Sequence, residues 1–144
     1  MDTLLIFVVM SLPMTAKTEC NPVTGRPEIT ITDSAFNSPD EKYTILHERT
    51  HIKQMNANGG CVEATKKYIE DADFRAEMEL DAYCTEANAM VADGKTLEHF
   101  VPNALGDGMK FPFYFFLVYK RNLTARETND WIKPRCPTLA DSTM

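Results

Sequence analysis

The spacing of apolar and polar positions predicts a mostly helical chain. A capping box at Ser38 to Glu41 opens the first helix, and Gly59-Gly60 closes it with a left-handed residue after the last turn. Between these signals, the inward positions recur at i, i+3 and i+4, the repeat of an amphipathic helix. Further helical patterns cover residues 62–69 and 74–91, and a second capping box at Thr124 to Glu127 opens a short helix ending at Trp131.

Two other segments complete the predicted fold. Residues 28–32 alternate and are rich in β-branched side chains, which predicts one strand before the first helix. Residues 111–119 are apolar and aromatic but too short to span a bilayer. We interpret them as a buried segment packed on the helices, with an aromatic cleft wall or a membrane-surface contact as the alternatives. The pattern as a whole predicts an α+β fold, mostly helical, in a single domain of residues 17–144.

The N-terminus differs from the rest of the chain. Residues 4–10 form a continuous apolar run, and Pro13 follows it. This length is typical of a signal peptide, so we predict one over residues 1–16, with cleavage near Ala16 to Thr18. The absence of Lys or Arg beside Asp2 departs from that pattern, and the alternative is a buried strand or helix of the mature fold. The prediction is an exported protein, periplasmic or secreted, without a membrane span in its mature chain.

Charge and cysteine content narrow the compartment and the partners. The net charge of −6 argues against nucleic acid as the main partner, which would favour a basic face. The four cysteines are too widely spaced for a CxxC metal site and, in an oxidising compartment, predict two disulfides. We predict the pairs Cys61–Cys84 and Cys20–Cys136; the alternative is four reduced, mostly buried thiols.

The segment His47 to His51 reads H-E-x-x-H and carries the candidate chemistry. On a helix, His47 and His51 lie one turn apart on the inward face, where two neutral imidazoles can hold one Zn²⁺. Glu48 lies beside that stripe, on its exposed edge, where it can take a proton from a water activated by the metal. These three residues predict one zinc ion per chain and a general base.

A catalytic zinc usually has three protein ligands and one open position, so a third ligand is needed. The residues after His51 lack the Gly and His of the longer H-E-x-x-H-x-x-G-x-x-H motif. On the next helical pattern, Glu77 shares a face with the apolar positions Leu80, Cys84, Ala87 and Val91, whereas Glu79 points roughly the opposite way. We therefore predict Glu77 as the third ligand. We predict Asp81, one turn further, as the carboxylate that hydrogen-bonds a ligand histidine.

These motifs resemble the gluzincin branch of the zincin metallopeptidases. The run Glu-Met-Glu-Leu-Asp-Ala-Tyr-Cys at residues 77–84 is similar to the E-x-E-A-D/N-x-F-A segment of small bacterial and phage-type members, and Gln54 fits their H-E-x-x-H-x-x-Q variant. The resemblance covers about residues 29–91, with Leu80 in place of the usual small residue. It implies a zincin-like minimal core: an edge strand bordering the cleft, the H-E-x-x-H helix and a helix carrying the third ligand.

The resemblance also implies an activity. The expected function is hydrolysis of peptide bonds in a peptide or protein substrate by zinc-activated water, with Glu48 as the base. A His or Tyr stabilises the oxyanion in such enzymes, and the candidates here are His99, Tyr83, Tyr114 and Tyr119, for each of which a packing role is the alternative. Two alternatives to catalysis remain: a binding or structural protein stabilised by a closed zinc site, and core histidines without any metal.

Overall fold

The computed structural model describes residues 16–31, 41–97 and 110–144. Within these ranges the chain forms two strands, five α-helices and one short 3-10 turn at Pro137–Leu139. The strands are β1 (Ala16–Cys20) and β2 (Pro27–Ile31), and the helices are α1 (Glu41–Ala57), α2 (Cys61–Glu70), α3 (Ala72–Ala92), α4 (Phe111–Tyr119) and α5 (Ala125–Ile132). The prediction of an α+β, mostly helical fold is confirmed.

Local signals placed the helices well. Both glycines after α1 have positive φ, and the Gly60 amide donates to the Met55 carbonyl at 2.9 Å, so the predicted glycine stop is present. At α5, the Thr124 side chain and Glu127 form the predicted capping box. The first predicted capping box has its residues 38–40 outside the described ranges.

The strands form an antiparallel hairpin in which Thr18 pairs with Ile29. The sequence predicts a cleavage site near residues 16–18 and no strand there, whereas in the structure these residues belong to β1 and pair with β2. The reason is that the inward positions of β1 are Ala16, Thr18 and Cys20, which are small or polar and give a weak hydrophobic alternation. Apart from Ala16, the predicted signal peptide at residues 1–16 lies outside the described residues.

Two hydrophobic clusters meet along α3. One joins α3 to α4, α5 and the C-terminal turn through residues such as Leu80, Tyr83, Phe115 and Ile132. The other joins α1, α2 and the start of α3 to β1, and includes Met78. Residues 111–119 form the helix α4 and contribute four buried aromatic side chains to the first cluster, as predicted for a packed segment. Glu79 lies in sequence between a member of each cluster.

Two disulfides tie these elements together, but not with the predicted pairing. Cys20 at the end of β1 is bonded to Cys61 at the start of α2, and Cys84 of α3 is bonded to Cys136 after α5. None of the four cysteines is free. The pairs Cys61–Cys84 and Cys20–Cys136 are wrong because β1 packs beside the first turn of α2, whereas Cys84 lies on the side of α3 that meets the C-terminal segment.

The disulfides also bear on the compartment. Two disulfides and no free thiol are typical of a protein from an oxidising, exported environment. Among the helices in the described ranges, none combines the length and the apolar composition that crossing a membrane requires.

Candidate metal centre

The two histidines of α1 lie together in the interior, as their spacing predicted. His47 and His51 are one helical turn apart, with ring centroids 4.9 Å apart and ring planes at 82°. Both side chains are almost completely excluded from solvent. Their Nε2 atoms point toward the same carboxylate, which α3 supplies.

That carboxylate is Glu79. Its Oε1 lies 3.4 Å from His47 Nε2 and 3.3 Å from His51 Nε2, and the side chain is fully buried. Ligands at about 2.0–2.1 Å from a tetrahedral zinc are about 3.3–3.4 Å from one another, which is the tetrahedral edge calculated from those bond lengths. The three residues are therefore close enough together to hold a metal ion.

The atoms at the centre of this cluster also fit a metal. In the described ranges, His47 Nε2 and Glu79 Oε1 are buried and have no partner that meets hydrogen-bond geometry. A buried polar atom without a partner is costly, and a metal ion is a ligand that satisfies such atoms together. Two imidazoles and one carboxylate are a ligand set that suits zinc.

Each histidine is oriented through its other ring nitrogen. His47 Nδ1 lies 3.0 Å from Glu86 Oε1, and His51 Nδ1 lies 2.8 Å from Gln54 Oε1. Both partners are acceptors, so with a metal bound each imidazole would carry its proton on Nδ1 and present the lone pair of Nε2 to the metal. Such outer partners fix the tautomer and orientation of metal-binding histidines.

The carboxylate is oriented in the same way. The Tyr68 hydroxyl of α2 donates to Glu79 Oε2 at 2.6 Å, which leaves Oε1 directed at the histidines. The hydroxyl is buried with Glu79, so this bond is made away from water. Elements α1, α2 and α3 therefore each contribute to the centre.

The protonation of His47 and Glu79 depends on burial and on the charges of neighbouring side chains. Burial alone lowers the pKa of His47, but the carboxylates of Glu79 and Glu86 outweigh it and raise the pKa to about 10. Burial works against the ionised form of Glu79, yet the two imidazoles hold its pKa well below the usual range. Without a metal, Glu79 and Glu86 therefore keep His47 protonated. Its positive charge then balances the negative charge of these carboxylates.

Glu48 is buried rather than exposed, which corrects its predicted place at the edge of the stripe. Strand β1 covers it, and the Thr18 hydroxyl donates to Glu48 Oε1 at 2.7 Å. Burial raises the pKa of Glu48, and electrostatic interactions with the neighbouring imidazoles oppose that rise. A carboxylate with a raised pKa is a better proton acceptor than one in water.

The structure does not bring Glu77 into the centre. Its side chain is exposed and lines an outward groove with Asp81 and Arg135. The prediction took the inward face of α3 from Leu80, Cys84 and Val91, but the buried stripe runs through Ala76, Glu79, Leu80, Tyr83, Ala87 and Met90. The centre of this stripe is about 100° around the helix from Glu77. Glu79, which lies within the stripe, is therefore the candidate for the third ligand.

Asp81 is linked to His51 indirectly, through the side chain of Gln54. It was predicted to contact a ligand histidine directly, but its Oδ2 accepts from Gln54 Nε2 at 2.9 Å. Gln54 also donates to the Met78 carbonyl at 3.0 Å, and its Oε1 is the partner of His51. Asp81 therefore fixes the amide orientation of Gln54, and Gln54 orients His51.

The tyrosine candidates form one buried group next to the histidines. The Tyr83 ring packs edge-on against the His47 ring with centroids 4.5 Å apart, and the Tyr83 and Tyr114 hydroxyls are 3.0 Å apart. The Tyr119 ring lies 6.5 Å from that of Tyr83. All three side chains belong to the hydrophobic cluster of α3 and α4, which supports their packing role. His99 lies outside the described residues.

Three residues of the centre were not predicted: Thr18, Tyr68 and Glu86. Glu86 carried a signal, because it follows Glu79 by seven residues and so shares its face of α3. Thr18 and Tyr68 belong to other elements and reach the site only through the tertiary fold.

No protein-family model, curated protein or solved structure matches this chain. The arrangement of these side chains is therefore the basis on which a function can be assigned.

Proposed function

We propose that the chain is a small zinc-dependent metallopeptidase of the gluzincin type, with one zinc held by His47, His51 and Glu79. The observation that supports it best is a cluster of three oriented, buried candidate ligands beside a second buried acid, Glu48, that is not one of them. Three protein ligands with an open position are characteristic of catalytic zinc, whereas structural zinc usually has four. The described residues supply three.

The chemistry divides between the metal and Glu48. Bound zinc would polarise a peptide carbonyl and make a water easier to deprotonate. Glu48 accepts the proton of the attacking water and passes it to the leaving amine, which makes it first a general base and then a general acid. Its burial supports both steps, because a raised pKa brings the carboxylate closer to the working pH.

The substrate we propose is a peptide or protein, met outside the cell or in the periplasm. The two disulfides support an oxidising compartment, and the apolar run at residues 4–10 supports export through a signal peptide. The acidic net charge of −6 supports a partner other than nucleic acid.

One observation favours a second candidate, a binding protein stabilised by zinc without catalysis. The side chains of the site are at most 1 % exposed, namely those of His47, Glu48, His51 and Glu79. This burial suits a structural zinc site, which needs no access for a substrate or solvent. Such a site would, however, leave the buried carboxylate of Glu48 with an energetic cost and no chemical role. This difference makes Glu48 the residue that separates the two candidates.

The test is Glu48→Gln, which keeps the size of the side chain and removes the base. We expect unchanged zinc content and at least about a 10²-fold loss of peptidase activity, measured by mass spectrometry of a digested peptide library. Glu77→Gln, an acid-to-amide change at an exposed position of α3, is the matched control and should retain activity. If wild type and both variants bind zinc but cleave no peptide, the binding protein becomes the better description. Equal cleavage by wild type and Glu48→Gln would show that the assigned base is wrong.

A further inference from the structure

Thr18 of β1 makes the hydrogen bond that holds the Glu48 carboxylate. Its Oγ1 lies 2.7 Å from Glu48 Oε1 and 3.2 Å from the Glu48 carbonyl oxygen. The two residues are 30 positions apart in sequence, and neither is more than 1 % exposed. The contact is therefore tertiary and shielded from water, where a hydrogen bond to a charged group is strong.

The position would suit an apolar residue if packing were its purpose. The inward positions of β1 are Ala16, Thr18 and Cys20, and a fully buried strand position most often carries an aliphatic side chain. Valine has the shape of threonine without the hydroxyl. Threonine, a polar residue, instead occupies the inward position of β1 whose side chain is hydrogen-bonded to Glu48.

The strand that carries Thr18 is itself anchored. A two-stranded hairpin alone is marginally stable in water. Here β1 is paired with β2 over residues Ala16 to Cys20, and the Cys20–Cys61 disulfide fastens its end to α2. The hydroxyl is therefore presented to Glu48 from a fixed support, two residues from the disulfide.

We propose that Thr18 is a positioning residue for the peptidase reaction, holding Glu48 in the orientation in which it accepts a proton. The hydroxyl has one hydrogen, and donating it to Oε1 leaves Oε2 as the oxygen that receives the proton from water. Fixing one oxygen also fixes the plane of the carboxylate, and small misplacements of a catalytic group cost large factors in rate. This inference rests on the proposed function, because it assigns Thr18 a part in that reaction.

The experiment compares Thr18→Val, which removes the hydroxyl, with Thr18→Ser, which keeps it and removes the methyl group. Thr128→Val is the matched control, because Thr128 is equally buried and its hydroxyl has no hydrogen-bond partner among the described residues. For each protein, kcat and KM on a peptide substrate, zinc content and melting temperature are measured. If Thr18→Val does not fold, Thr18→Ala takes its place, since the smaller side chain cannot clash.

We expect Thr18→Val to lower kcat about 10- to 100-fold with KM and zinc content unchanged. Thr18→Ser should keep kcat near the wild-type value even if its melting temperature falls, and Thr128→Val should keep full activity. A kcat at the wild-type level in Thr18→Val would overturn the inference and leave the proposed function intact. Equal losses in Thr18→Val and Thr18→Ser, or loss of zinc together with activity, would also overturn it by showing a packing role. A zinc-loaded wild type without activity overturns the proposed function and this inference together.

Discussion

The choice between Glu79 and Glu77 as the third ligand can be tested by one change at each position. Glu79→Gln keeps the volume of a fully buried side chain and removes its charge, whereas Glu77→Gln makes the same change at an exposed position on the same helix. Zinc affinity should fall in the first variant and not in the second. The contacts of Glu79 with His47 and His51, at 3.4 and 3.3 Å, are the reason.

The magnitude follows from the number of ligands. Zinc binding to a four-ligand site in a small domain contributes about 10–16 kcal/mol, or about 2.5–4 kcal/mol for each ligand. Loss of one ligand should therefore weaken binding by about 10²–10³-fold, since each 1.4 kcal/mol is a factor of ten. Glu77→Gln is an ordinary surface change, worth at most about 0.5 kcal/mol, or less than about threefold in affinity.

Glu79→Gln also removes the negative charge that faces His47 in the metal-free protein. Breaking a buried ion pair costs about 3–5 kcal/mol, a large fraction of the stability of a small domain. Zinc affinity should therefore be measured at low temperature, by competition with a zinc-binding dye, with circular dichroism to confirm that each variant is folded. A Glu77→Gln variant that loses zinc while Glu79→Gln keeps it would refute the assignment of the inward face of α3.

Two further predictions concern protonation and cross-linking. The folded pKa of His47 is raised from 6.5 to about 10, so its contribution to the stability of the metal-free protein is full below pH 6.5 and is lost as the pH rises toward 10. Urea unfolding of the metal-free protein should show this fall, which should be absent or reversed with zinc bound, because zinc needs the deprotonated imidazole. Peptide mapping of unreduced protein should find Cys20 joined to Cys61 and Cys84 joined to Cys136, and a peptide joining Cys61 to Cys84 would contradict the pairing seen here.

Much of the fold was predictable because its signals are local. A capping box, a pair of glycines and a 3.6-residue repeat act within a few residues, and they located α1, α3 and α5 to within a few positions. The inward face of α1 was also predictable, because His47, His51 and the apolar positions around them agree on one direction. The number of disulfides followed from the even count of cysteines.

The site depended on contacts that no local signal reports. Glu77 and Glu79 stand on the same helix, and which one turns inward is decided by how α3 packs against α1, 32 residues away at His47. Cys84 and Val91 suggested the wrong face, because Cys84 is directed to its disulfide partner and Val91 is exposed.

The sequence by itself determined the helices α1, α2, α3 and α5, the inward histidines and an acid beside them. The tertiary structure decided which carboxylate joins the histidines, which cysteines pair, and that β1 covers Glu48 with the hydroxyl of Thr18. The physical reason is that backbone conformation is set by neighbouring residues, whereas the burial of a given face is set by elements that meet it from elsewhere in the chain. Glu79 becomes a candidate ligand because α1 and α2 pack against it. Its Oε1 faces the Nε2 atoms of His47 and His51, and its Oε2 accepts a hydrogen bond from the Tyr68 hydroxyl.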